Sequence, residues 1–80
     1  MRHELGLHTK DEQDQAMGMV SKSHARGVEA AERGDRAALA FETGFIHAIM
    51  ALAKLAGAWN VEGLAMRQRN DLDRRGAELS

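Results

Sequence analysis

The stretch Arg36–Trp59, "RAALAFETGFIHAIMALAKLAGAW", decides the fold. It lacks Pro and reads as one helix, roughly 36 Å long at about 1.5 Å per residue. It is apolar on most of its circumference, interrupted by Arg36, Glu42, Thr43, His47 and Lys54. Two apolar faces can be drawn on it. Phe41, Phe45, Ala48, Leu52, Leu55 and Trp59 alternate at spacings of four and three, a coiled-coil-like seam. Leu39, Ile46, Ile49, Met50 and Ala53 lie a third of a turn or more round from that seam. A helix apolar on two faces needs a cover for each.

Working outward, "RGDR" marks a tight reversal before this helix. Gly34 suits a left-handed C-cap and Asp35 can cap the next N-terminus. Upstream, "TKDE" places Thr9 as N-cap with Glu12 three residues on, a reciprocal capping box. The first helix is therefore expected over 10–33, after an N-terminal arm of residues 1–9. Its apolar stripe is Met17, Val20, His24, Val28 and Ala31. So short a connection folds the two helices into an antiparallel hairpin. The expected register sets Val28 near Phe41, His24 near Phe45, Val20 near Ile49 and Met17 near Leu52. Gly18, Gly27 and Gly44 are candidates for close backbone approach.

Residues 60–80, "NVEGLAMRQRNDLDRRGAELS", carry sparse apolar positions at Val61, Leu64, Ala65, Leu72 and Leu79. They are expected to form a third, short helix covering part of the second apolar face, with "RQRNDLDRR" mostly solvated. The remaining cover is expected from another copy of the chain. That makes Leu39, Glu42, Ile46, Ile49 and Met50 the expected interface of an oligomeric helical bundle. The fold class read here is all-α, in one domain spanning 1–80.

Composition narrows the function. Eighty residues are close to the size at which one core barely suffices. The absence of Cys removes disulfides and Cys-based zinc sites, leaving association as the stabilising route. A net charge of −1, with both signs interspersed, argues against a duplex nucleic-acid binder. "MRHELGLHTKDEQ" has no apolar run after a basic start, so no secretory signal is expected. Between Glu42 and Lys54 lie eleven residues, against about twenty for a membrane span. A soluble, cytoplasmic protein is expected, without membrane contact.

No Ser–His–Asp set, phosphate loop or metal-ligand cluster is present, so neither enzyme activity nor a cofactor is expected. "MRH" could chelate Cu(II) through His3 only with a free amino terminus, and no physiological metal site is expected. His24 reads as a core histidine hydrogen-bonded to backbone or water. Glu42, flanked by Leu39, Ile46 and Ile49, reads as an acid paired with a base across the interface, with a raised pKa as the other reading. Arg36, Thr43, His47 and Lys54 project within about 40° of one another, bordered by Ala40, Gly44, Ala51 and Ala58. An ordinary solvent face would look the same. The sharper reading is an anion groove: a guanidinium fork, an ammonium, a hydroxyl, and small neighbours that admit a ligand.

The segment "DRAALAFETGFIHAIMALAKLA" resembles the C-terminal helix of the phage-encoded anti-CBASS sponge proteins. The similarity lies in Arg36, Thr43 seven residues on, "MAL" at 50–52, Lys54 and Ala56. It covers about residues 35–56. It implies a small helical-hairpin oligomer that sequesters cyclic nucleotide signals between protomers, with Arg36 and Thr43 as ligand-binding positions and Lys54 as a further one. Ala37 stands where the family tends to carry an aromatic. The chain also lacks the family's Pro after the helix and its N-terminal Tyr, so phosphate binding is implied more than base stacking. Three functions stay open: such a sponge, a protein-binding inhibitor or adaptor acting on a host defence protein through an apolar face, and a ligand-free structural subunit.

Overall fold

A computed structural model describes residues 7–79. It contains three helices: α1 (Lys10–Arg33), α2 (Arg36–Ala56) and α3 (Trp59–Glu78). No strand occurs among the described residues. The His3 reading lies outside them.

Both ends of α1 follow from local chemistry. Thr9 Oγ1 accepts from the Glu12 amide at 3.1 Å, and the Glu12 carboxylate accepts from the Thr9 amide at 3.0 Å. Gly34, at φ 73°, lets its own amide reach the Ala31 carbonyl and the Asp35 amide reach the Ala30 carbonyl. The Asp35 carboxylate then caps α2 at the Ala38 amide, 3.0 Å away. Gly57, at φ 72°, repeats this geometry at the end of α2, with the Ala58 amide on the Ala53 carbonyl. The second helix thus stops at Ala56 instead of running to residue 59, and Trp59 opens α3. The apolar spacing through Leu55 and Trp59 had concealed a left-handed glycine.

The helices run up, down and up. Asn60 at the start of α3 donates to Gln13 at the start of α1, and Arg36 at the start of α2 reaches the Leu79 carbonyl at the end of α3. All three pack on one another in a bundle 45 Å long and 17 Å wide. Val20, Ala30, Ile46, Ala53, Val61, Ala65 and Leu72 fill the axis and are fully buried. The third helix has 20 residues and is not short. The face for which a second copy was expected is covered from within the chain by both neighbours, Ser23 and Arg26 of α1 reaching Glu42 and Gly76 of α3 lying against Leu39.

The two faces of α2 exchange roles relative to the sequence reading. Leu39, Glu42, Ile46 and Ile49 are buried in the chain's own core, and Met50 packs against it, so they are not available as an interface between copies. The expected seam faces outward instead: Phe41, Leu55 and Trp59 are 68%, 85% and 73% exposed. The hairpin register changes accordingly, with Ser23 and Arg26 of α1 reaching Glu42. Met17, Val28 and Ala31 pack against the core, and His24 bonds Asp71 of α3 rather than lying near Phe45. Of the three glycines expected at close approaches, only Gly27 occupies one: a Cβ there would lie 2.7 Å from Leu72 Cδ1, whereas Gly18 and Gly44 face open space.

Candidate functional site

Between α2 and α3 lies a groove of about 560 Å³. From α2 it is lined by Arg36, Leu39, Ala40, Thr43, Gly44 and His47, and from α3 by Arg69, Leu72, Asp73 and Gly76. Leu39 and Leu72 form its apolar floor because both are anchored in the core. Small residues on both helices leave the space open. Three of the four residues expected to bind a ligand, Arg36, Thr43 and His47, meet here. Lys54 does not. It shares the angular position of Arg36 but lies eighteen residues further along, about 27 Å at 1.5 Å per residue.

The polar groups of the groove are only partly occupied with one another. Arg36 closes one end, its guanidinium donating to the Leu79 carbonyl. The Thr43 hydroxyl donates to the Leu39 carbonyl at 2.8 Å and so presents lone pairs until it rotates. Arg69 reaches across from α3, with Nη1 3.1 Å from His47 Nδ1 and Nη2 2.9 Å from Asn70 Oδ1. Accepting from Arg69 requires a lone pair at His47 Nδ1, which leaves the N–H at Nε2. Arg69 Nε is buried and has no hydrogen-bond partner, the Asp73 carboxylate standing 3.8 Å away. A buried donor without an acceptor is costly, and an incoming anion can relieve that cost by drawing the guanidinium toward it. With the guanidiniums of Arg36 and Arg69 facing the single carboxylate of Asp73, the lining favours negative charge.

Two other polar clusters knit the helices together. Glu42, buried in the core, accepts from Ser23 Oγ at 2.6 Å and from Arg26 Nε at 2.9 Å. The Arg26 guanidinium holds its carboxyl below the usual range, against the effect of burial and with help from Ser23. The expected interchain partner is therefore an intrachain one, and the shift is downward, not upward. Asp71 accepts from Arg75 and Arg74 on its own helix and pairs with His24 Nε2 of α1 at 2.7 Å. Arg75 first, then His24, hold that carboxyl far below the usual range. Both clusters are self-satisfied and tie helices to one another.

Arg69, Asp73 and Gly76 were missed at the sequence level, where "RQRNDLDRR" looks solvated. Their signal is the spacing 69, 72, 73 and 76, which places them with core residue Leu72 on one face of a helix. No group of three or more metal-ligating side chains occurs among the described residues. No family model, curated protein or solved structure matches the chain.

Proposed function

We propose that the chain is a non-catalytic binding protein that holds a phosphate-bearing ligand, a cyclic oligonucleotide in the first instance, in the α2–α3 groove. The observation that carries this reading is the convergence of Arg36 and Arg69 from facing helices on an open, small-residue space, one of them with an orphaned buried donor. Two guanidiniums so placed suit a ligand with more than one phosphate oxygen to offer. The groove's volume lies within the range of about 300–1,000 Å³ usual for small-molecule sites. The resemblance of residues 35–56 to the anti-CBASS sponge proteins points to cyclic nucleotides among such ligands, and to sequestration in a phage counter-defence role. No nucleophile with an adjacent base accompanies the cations, which favours binding over turnover.

Calorimetry against a panel of cyclic di- and trinucleotides, with inorganic phosphate as reference, tests the reading. Binding should weaken with salt and tolerate base identity, since the groove has no Phe, Tyr or Trp in its lining. Arg36→Ala and Arg69→Ala should each lower affinity by about 2 kcal/mol, as for hydrogen bonds to charged groups. Asp73→Asn should raise it, and Lys54→Ala should leave it unchanged. No heat with any member of the panel would end this reading in favour of a protein-binding adaptor.

A further inference from the structure

The guanidinium of Arg69 is held across the groove by an unusual partner. Its Nη1 lies 3.1 Å from His47 Nδ1 on the facing helix. Its Nη2 turns to Asn70 on its own helix, and its Nε stays buried without a partner. Asp73, the acidic side chain of the lining, stands 3.8 Å from Nε, too far for a hydrogen bond. The contact with His47 is conditional on charge. Arginine keeps its proton throughout, so the bond exists only while Nδ1 carries a lone pair. An imidazolium has two N–H donors and no acceptor, and sets a second cation against the guanidinium. Arg69 and Asp73 line the groove from α3, and α1 contributes nothing to the lining. On α2 itself Arg36 lies eleven residues before His47 and Lys54 seven after. Cations therefore outnumber the single carboxylate around the empty groove. A phosphate reverses that balance, because it accepts from imidazolium and guanidinium together and can meet the orphaned Nε.

We infer that His47 is the positioning residue for Arg69, and that the groove takes up a proton at His47 when it binds its ligand. This role rests on the groove being a phosphate site. In the empty groove, neutral His47 accepts from Arg69 and keeps the guanidinium reaching toward α2. In the occupied groove, a phosphate oxygen replaces Nδ1 as the acceptor for Arg69. His47, protonated at Nδ1 by a proton from solvent, then donates to the phosphate as well. Acid pH therefore tightens binding and alkaline pH loosens it.

Calorimetry of the whole chain with cyclic di-AMP, from about pH 8 to about pH 6, tests the inference, because histidine changes charge in that range. The phosphodiesters of this ligand do not. Affinity should rise toward acid pH by up to about tenfold per pH unit, the limit for one linked proton. Titrations in two phosphate-free buffers of different ionisation heat should report uptake approaching about one proton per groove. His47→Gln keeps an acceptor for Arg69 but takes no proton, so it should match the wild type at the alkaline end and show a flat profile. His47→Ala should also be flat, and weaker at the alkaline end by about fivefold, the worth of one hydrogen bond. His47 is exposed, so both variants should keep the circular dichroism of the wild type. Without ligand, the Arg69 Nε–H resonance should move with the His47 ring as pH falls, and stay in place in His47→Gln. Binding without proton uptake, or uptake that survives in His47→Gln, would overturn the inference and leave the phosphate site standing. An Arg69 resonance indifferent to His47 would overturn it as well. No heat at either end of the pH range would remove the phosphate site, and this inference with it.

Discussion

Gly27 sets the closest approach of α1 to α3. Its missing Cβ leaves room for both methyls of Leu72, which is fully buried and has nowhere to turn. Adding a methyl there overpacks the core, a fault of about 1–3 kcal/mol, against about 1 kcal/mol recovered from helix propensity. Gly27→Ala is therefore expected to destabilise by about 1 kcal/mol in urea unfolding. Gly18→Ala, exposed and with no neighbour within 4 Å, should stabilise by up to about 1 kcal/mol. Equal gains from both would mean that the helices stand further apart. The same scale explains why α2 reads inside out from sequence. Leu39, Glu42, Ile46, Ile49 and Ala53 also alternate at three and four, but the carboxylate in mid-stripe argues against a core. Ser23 and Arg26, nineteen and sixteen residues earlier, make that carboxylate tolerable. A pairing at such separation has no local signature.

At the scale of elements, the boundaries were legible wherever a cap is local. Thr9 with Glu12, and Gly34 with Asp35, specify the first hairpin in a few residues each. The second reversal carries only Gly57, followed by Ala58 without a side-chain cap, and was read through. What fastens α3 to α1 is the pair His24–Asp71, supported by Arg74 and Arg75. Because the folded-state pKa of Asp71 is depressed, its contribution is fully present above its unfolded value near 4 and is lost as pH falls. Glu42 has the same sign. Stability in urea should therefore decline from about pH 4 downward as these carboxylates protonate. Asp71→Asn should lower stability at neutral pH and flatten that acid limb. An unchanged limb in the variant would show that Asp71 does not fasten the helices.

Taken whole, the molecule is a three-helix bundle whose central helix serves three surfaces: the core, the groove toward α3 and the outer apolar face. The sequence exposed the excess of apolar surface on α2 and the polar strip, because both are properties of one helix. It could not show which apolar face turns inward, or that Arg69 and Asp73 complete the groove, because these depend on how α3 docks. The central claim is that the α2–α3 groove binds a phosphate-bearing cyclic nucleotide. Titration of isotope-labelled protein with a cyclic dinucleotide, followed through amide and side-chain resonances, addresses it most directly. The shifts should concentrate at Arg36, Thr43, Gly44, His47, Arg69, Asp73 and Gly76, leaving Lys54 and Leu55 in place. Shifts confined to the outer face of α2, or none at saturating ligand, would contradict it.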